Sequence, residues 1–244
     1  TLNGTRGLVY EGSLGLVDID LDKNQSYKNL MKLVDKIKLM GVRTNAETPQ
    51  DAGQGIKFGA EGIGLFRTEH MFYGEGSEEP LFLLRKMILS KTLEERRSAL
   101  NELFGFVKKD IKDTLLVMKG YPVTIRLLDP PLHEFVPHNQ EKLKELAESL
   151  NINMEVLEKR ASSLRESNPM MGHRGVRLGV TYPEITETQV RAILESAAEL
   201  IKAGKKTYPE IMIPVVCDVK EIKDQVEIIK KVEKEVLTKY NMKK

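Results

Sequence analysis

Short apolar runs that alternate with amphipathic helical segments constrain the fold of this 244-residue chain more than any other feature. Strands that alternate with helices form βαβ crossovers, so the strands lie parallel in one sheet. The last apolar run is rich in β-branched residues and is predicted to be a strand buried on both faces, with Cys217 a buried thiol. After residue 41 the pattern predicts five strands, at 42–45, 62–66, 123–127, 175–179 and 211–217.

Capping signals mark the helices between these strands. Thr48 stands at one predicted helix start. Thr186 with Gln189, and Asp218 with Glu221, have the spacing of capping boxes. Helical segments are predicted over 27–37, 80–118 and 140–165, and from 186 and 218 onward.

The N-terminal segment and the strand count leave the architecture open. Residues 1–20 are predicted to be a hairpin, with a turn at Asn3-Gly4, and a linker. A (β/α)8 barrel needs eight strand–helix units, whereas the pattern supplies five. The body is therefore either a complete open α/β sheet, which the spacing favours, or a barrel truncated after its fifth unit. The chain begins at Thr1 rather than Met, and we expect it to be part of a longer protein.

Composition excludes several function classes. The 38 basic and 36 acidic residues give a net charge of +2, without the basic excess expected for nucleic-acid binding. A single cysteine rules out an internal disulfide and fits a reducing compartment. No apolar stretch approaches the roughly 18 residues needed to cross a bilayer. These features predict a cytoplasmic protein without nucleic-acid or membrane partners.

An arginine stands at the end of several apolar runs, which suggests a shared binding pocket. Arg43, Arg67 and Arg126 end three of the predicted strands, and Arg174 and Arg177 flank the start of a fourth. A guanidinium is always charged and is costly to bury unpaired, so it is a poor core residue. Its fork of donors suits carboxylate and phosphate oxygens. The repetition predicts an anion site at the carboxyl ends of the strands.

Each arginine also has a purely structural interpretation. Arg67 could pair with Glu69 or Glu61, and Arg126 with Asp129. The two later arginines could instead tie their loop to the rim of the sheet. Spacing alone leaves both interpretations open.

Other kinds of site are not supported by motifs. No Gly-x-x-x-x-Gly-Lys-Ser/Thr run is present, so a P-loop nucleotide site is not expected. The histidines show no metal-binding spacing, and no metal ligand is assigned in this chain. We expect polar loop or supporting roles for them; they are His70, His133, His138 and His173.

Three longer segments make a family recognisable. They are 60–72, which ends in Gly-Ile-Gly-Leu-Phe-Arg-Thr-Glu-His-Met-Phe; 124–135, which begins Thr-Ile-Arg-Leu-Leu-Asp-Pro-Pro; and 168–185, which contains Met-Gly-His-Arg-Gly-Val-Arg. In this order they resemble the phosphoenolpyruvate-utilising enzymes, and within that family the pyruvate, phosphate dikinase branch. The resemblance spans nearly the whole chain, since residues 2–12 look like the tail of the family's phosphohistidine domain.

This resemblance implies a fold, a reaction and roles for three residues. The fold is a (β/α)8 TIM-type barrel, truncated after about the fifth βα unit, with residues 1–20 as domain tail and linker and 21–244 as partial phosphoenolpyruvate/pyruvate-binding barrel. The branch interconverts ATP, pyruvate and phosphate with AMP, phosphoenolpyruvate and diphosphate through a phosphohistidine. On the matching positions Arg67 and Arg126 would be catalytic and hold the transferring phosphoryl group, and Arg174 would help to bind substrate.

Several parts of the family's site have no match in this chain. They are a Gly-Thr-Met-Ile-Glu strand, a Gly-Thr-Asn-Asp strand and a Cys-Gly-Glu loop, which supply Mg²⁺ ligands and a proton-donating thiol. The resemblance therefore implies a segment that is inactive alone and has its Mg²⁺ ligands elsewhere. The phosphohistidine domain of the same longer chain would be a partner, and the assembly a homodimer. The alternatives are a phosphoenolpyruvate synthase, or a naturally truncated homologue that acts as a binding or regulatory module.

Overall fold

The computed structural model describes residues 1–15, 20–21, 23–74, 76–137 and 139–243. Its central feature is a sheet of four parallel strands, β3 to β6, in which each strand pairs with the next in chain order. A separate antiparallel pair, β1 and β2, confirms the predicted N-terminal hairpin. The strands are β1 (Leu2–Asn3), β2 (Leu8–Val9), β3 (Thr44–Asn45), β4 (Ile63–Arg67), β5 (Pro122–Arg126) and β6 (Tyr208–Met212).

Helices connect the strands and cover one face of the sheet. Two predicted caps are confirmed, since Thr48 accepts a hydrogen bond at the start of α2 and Asp218 forms a capping box with Glu221 at the start of α9. The predicted helical region 80–118 is divided into two helices. The helices are α1 (Gln25–Ile37), α2 (Pro49–Lys57), α3 (Glu78–Leu89), α4 (Leu93–Val117), α5 (Gln140–Leu150), α6 (Met154–Ser163), α7 (Val176–Thr181), α8 (Pro183–Lys202) and α9 (Val219–Lys239).

The two faces of the parallel sheet differ in burial. Ile63, Val123 and Ile125 are at most 1% exposed and belong to the core that the helices complete. On the opposite face the Thr124 hydroxyl donates to Glu210 at 2.7 Å, and Glu210 is exposed. The alternation along β5 thus separates a dry face from an open, polar one.

The predicted fourth strand at 175–179 is wrong, because this segment is the helix α7. Val176, Leu178 and Val180 alternate as in a strand, yet Val180 is 48% exposed while the other two are buried. Gly175 has a φ of +55°, which redirects the chain before the helix begins. The sheet position next to β5 is taken by β6 instead.

The last predicted strand also differs from expectation. β6 ends at Met212, and its residues are exposed or half-buried rather than buried on both faces. It lies at an edge of the sheet, which leaves one side unpaired. Cys217 lies beyond the strand and is exposed, so the prediction of a buried thiol is wrong.

Helix α8 begins before its predicted start. Helix α8 begins at Pro183, so Thr186 and Gln189 lie inside the helix and do not form its capping box. The boundary predicted near residue 20 falls beside residues outside the described part of the chain, and the division into 1–20 and 21–244 stays a prediction. The described helices include none that is long and apolar enough to span a membrane.

Candidate anion-binding site

Two of the predicted arginines stand side by side at the carboxyl edge of the sheet. Arg67 ends β4 and Arg126 ends β5, and the two residues are partners in the strand register. Carboxyl ends of parallel strands are where ligands bind in open α/β sheets and in barrels. The fold therefore brings together the two residues for which the family resemblance implies catalytic roles.

Arg126 is held by two carboxylates. Its Nη2 group donates to Glu69, and its Nη1 lies 3.0 Å from Asp129 Oδ2. Both carboxylate side chains are only 6% exposed. The pairing with Asp129 is the one considered from the sequence. Glu69, considered as a partner for Arg67, belongs to Arg126 instead.

Arg174 joins the cluster through the same aspartate. Its Nη2 donates to Asp129 Oδ2 at 2.7 Å, so one carboxylate oxygen bridges Arg126 and Arg174. The Gly175 N–H donates to the Asp129 carbonyl at 3.1 Å, which ties the loop backbone to the end of β5. Arg174 thus reaches the sheet edge from a loop that precedes a helix, not from a strand end.

Arg67 is the most accessible of the three arginines. Its side chain is 38% exposed, against 20% for Arg126 and 14% for Arg174. Its Nε lies 3.1 Å from Glu47 Oε1, and its Nη1 lies 3.5 Å from His70 Nε2. Sequence reasoning missed Glu47, whose position just after β3 was the available signal.

Arg43 and Arg177, the other two predicted arginines, make contacts away from this cluster. Arg43 donates to Glu210 at 2.5 and 3.1 Å and to Thr124 at 3.1 Å, on the open face of the sheet. This hydrogen bonding lowers the pKa of the Glu210 carboxyl. Arg177 donates to the Gly172 carbonyl at 3.0 Å and lies 3.2 Å from Cys217 Sγ. Arg177 therefore stabilises the loop that precedes it, which is the structural role considered from the sequence.

A cavity of about 500 Å³ lies at this end of the sheet and is lined by three carboxylates and one lysine, Lys109. Glu47 and His70 line it together with Asp110 and Asp113. Burial, together with the charge of Asp113, raises the pKa of Asp110 to about 6. Carboxylates repel anions, so this cavity does not extend the anion site.

Histidines and metal-ligating groups add no further centre to the described residues. His173 Nε2 lies 2.9 Å from Thr181 Oγ1, and His133 lies in the 3-10 turn Leu132–Phe135. His138 is outside the described residues. Within the described ranges, no three His, Cys, Asp or Glu side chains are arranged to hold a metal ion.

Comparison with known proteins identifies the family. The model of the PEP-binding domain of PEP-utilising enzymes, where PEP is phosphoenolpyruvate, matches residues 22–244. The chain belongs to the PEP-utilising enzyme family. Relatives within that family are pyruvate, phosphate dikinases, which confirms the resemblance seen in the sequence.

These PEP-utilising relatives are much longer than the chain. It is 44% identical to pyruvate, phosphate dikinase of Clostridium symbiosum over 237 residues, which are 97% of this chain and 26% of that protein. It is 46% identical to the Giardia intestinalis enzyme over 88% of this chain and 24% of that protein. It is 43% identical to pyruvate, phosphate dikinase 2 of Oryza sativa subsp. japonica over 97% of this chain and 26% of that protein. The chain spans about a quarter of the length of these relatives.

Proposed function

We propose that this chain supplies part of the phosphoenolpyruvate/pyruvate site of a pyruvate, phosphate dikinase. The observation that carries the proposal is the in-register pair Arg67 and Arg126 at the carboxyl edge of the sheet, with Arg174 linked to it through Asp129. Phosphoryl transfer needs positioned positive charge around the transferring group. Arg67 and Arg126 would hold the phosphoryl group, and Arg174 would support substrate binding.

The reaction proposed is that of the whole dikinase, not of this segment alone. ATP, pyruvate and phosphate interconvert with AMP, phosphoenolpyruvate and diphosphate through a phosphohistidine on another domain of the longer chain. The segment would be inactive by itself. A cytoplasmic homodimer is the proposed assembly.

The proposed architecture is a (β/α)8 barrel of which this chain forms the first part. Parallel strands that pair in chain order support it, because a barrel continues this order around a closed circle. The four strands seen replace the five expected. The open polar face with Thr124 and Glu210 would then be the barrel interior.

Magnesium does not fit the acidic groups at the arginine cluster. Glu69 and Asp129 are each engaged by arginine, and a cation placed between them would face two guanidinium groups. We therefore place the Mg²⁺ ligands of the proposed enzyme outside this chain. The chain's own contribution is to bind and orient the anionic end of the substrate.

Titration calorimetry with phosphoenolpyruvate and Mg²⁺ tests the site. We expect a dissociation constant of roughly 1 mM, because only part of the site is present. Arg67→Ala and Arg126→Ala should each weaken binding about tenfold or more through loss of a charge-assisted contact. Arg97→Ala is the matched control, since Arg97 is a 54% exposed arginine on α4. Unchanged affinity in both site variants would refute the assignment.

A further inference from the structure

A buried chain of hydrogen bonds runs directly behind the arginine cluster. The Leu128 N–H donates to Gln189 Oε1 at 3.0 Å, and Gln189 Nε2 donates to Thr68 Oγ1 at 3.1 Å. The Thr68 hydroxyl in turn donates to the Arg126 carbonyl at 3.0 Å. One side-chain amide from α8 therefore connects the ends of β4 and β5.

The series of hydrogen bonds through Gln189 lies just beyond the end of the ladder between β4 and β5. Ladder pairing between β4 and β5 ends at Arg67 and Arg126, and Thr68 and Leu128 lie beyond it. Past that point the Gln189 amide fixes the spacing that the ladder no longer fixes. Gln189 sits at 9% exposure and Thr68 at 1%, so water does not compete for these bonds.

Because the Gln189 amide is buried, its oxygen and its nitrogen each need a hydrogen-bond partner in the right direction. A buried amide needs its donor and acceptor satisfied, and here the Gln189 oxygen and nitrogen have different partners on different strand ends. An apolar residue of similar length at position 189 would fill the volume. It would leave the Leu128 N–H without an acceptor, and the Thr68 hydroxyl oxygen would no longer accept a hydrogen bond from residue 189. The strand ends would then be free to shift.

We propose that Gln189 is a positioning residue for the anion site, acting through Thr68 and the backbone of Arg126 and Leu128. The inference rests on the proposed function, because it assigns Gln189 the task of setting the separation of the Arg67 and Arg126 guanidinium groups. Gln189 does not touch the ligand. A two-point contact between guanidinium forks and anion oxygens tolerates errors of only about 0.5 Å, so a support of this kind governs affinity.

The chain contains a matched control for this role. Gln225 is another buried glutamine, on α9, and its Oε1 accepts from the Thr186 hydroxyl at 2.7 Å. It lies against Gly179 of α7 rather than against the strand ends. Gln189→Met and Gln225→Met thus remove the same buried group, and only the first removes it from behind the arginines.

The first measurement needs no ligand. Side-chain Nε–Hε NMR signals of Arg67 and Arg126 are recorded for the 244-residue chain and for both glutamine variants. We expect Gln189→Met to shift and broaden these signals and Gln225→Met to leave them in place. Unmoved arginine signals in Gln189→Met would overturn the inference whether or not the chain binds phosphoenolpyruvate.

The second measurement is the affinity for phosphoenolpyruvate. We expect Gln189→Met to raise the dissociation constant about tenfold, and Thr68→Val to do the same, with no further loss in the double variant because both break one chain of bonds. Equal affinity in Gln189→Met and Gln225→Met would contradict the role. If instead Arg67→Ala and Arg126→Ala both bind as well as the unmodified chain, the proposed function fails, and the arginine NMR signals still test whether Gln189 positions the two side chains.

Discussion

The three arginines of the sheet edge differ in how firmly carboxylates hold them. Arg126 and Arg174 share the buried Asp129, whereas Arg67 meets Glu47 at a more open position. Breaking a buried pair leaves an uncompensated charge, so Arg126 and Arg174 are fixed parts of the site. Arg67 is the most exposed of the three, so in the proposed site it is the arginine that an incoming anion would reach first.

A single carboxyl in the acidic cavity should give a pH-dependent stability change. The pKa of Asp110 is raised from 3.8 to about 6 by burial and by Asp113, so its ionised form is disfavoured in the folded state. Stability is therefore lost as pH rises from about 4 to about 6. Asp110→Asn should remove this loss and raise the free energy of unfolding by about 1–2 kcal/mol at pH 8, discounted for partial exposure.

Urea unfolding at pH 4 and pH 8 checks the Asp110 prediction. The variant and the unmodified chain should be nearly equal at pH 4 and differ at pH 8. A difference of the same size at both pH values would show that the carboxyl charge is not responsible.

At the scale of elements, the turn into α7 depends on one glycine. Gly175 has a φ of +55°, and a Cβ there would lie 2.9 Å from the Pro214 carbonyl oxygen and 3.2 Å from Asp129 Oδ1. Gly175→Ala combines a strained backbone with a close contact to the carboxylate that holds Arg174. We expect a loss of about 2 kcal/mol or more in the free energy of unfolding.

Gly204 provides the matched comparison for Gly175. Its φ is +72°, yet a Cβ there would meet nothing within 4 Å. Denaturant unfolding of Gly204→Ala should show a loss of about 1 kcal/mol, from backbone strain alone. Equal losses at both glycines would mean that the close approach at Gly175 carries no cost.

Elements with strong local signals were predictable, and those that depend on distant contacts were not. Capping by Thr48 and Asp218 identified helix starts, and the runs ending in Arg67 and Arg126 identified two neighbouring strands. The alternating apolar residues after Gly175 predicted a strand because period alone cannot show that β6 already occupies the place beside β5.

The site itself was only half visible in the sequence. Arg67, Arg126 and Arg174 could be named because their residue type is costly to bury and their motifs are long. Of their partners, Asp129 could be named for Arg126, but Glu47 and Glu69 could not be assigned, since the way the strand ends meet decides which arginine each of them reaches. Gln189 comes from a helix more than fifty positions away from both strand ends, and no local pattern connects it with them.

At the scale of the whole molecule, a network of ion pairs links the helices α4, α8 and α9. Lys108 of α4 donates to Glu195 and Glu199 of α8, at 2.9 and 2.6 Å, and Lys239 of α9 donates to Glu195 at 2.7 Å. Burial would raise the pKa of Glu199, but hydrogen bonds from Lys108, Lys112 and the Tyr240 hydroxyl outweigh it and lower the pKa to about 2. The network joins the three long helices on the side away from the open sheet face.

By contrast, the apolar side of α1 is uncovered. It has no buried residue, and Leu30, Leu33 and Ile37 are 58%, 54% and 68% exposed. The edge strand β6 is also open on one side. We predict that the chain self-associates, because apolar patches and unpaired edges of this kind favour association.

Equilibrium sedimentation measures this association against the 27.7 kDa monomer. Ile37→Glu should lower the average mass, whereas Val156→Glu, at a 37% exposed position on α6, should not. A monodisperse monomer for the unmodified chain would contradict the prediction.

The arginine cluster and its carboxylates have equal and opposite formal charges. Arg67, Arg126 and Arg174 stand beside Glu47, Glu69 and Asp129, in a molecule whose net charge is only +2. Attraction over long range needs an excess of one sign, so little electrostatic steering draws an anion to this edge. In the proposed site an anion would be selected only after it arrives, because its oxygens would have to fit the guanidinium forks better than the carboxylates already paired with them.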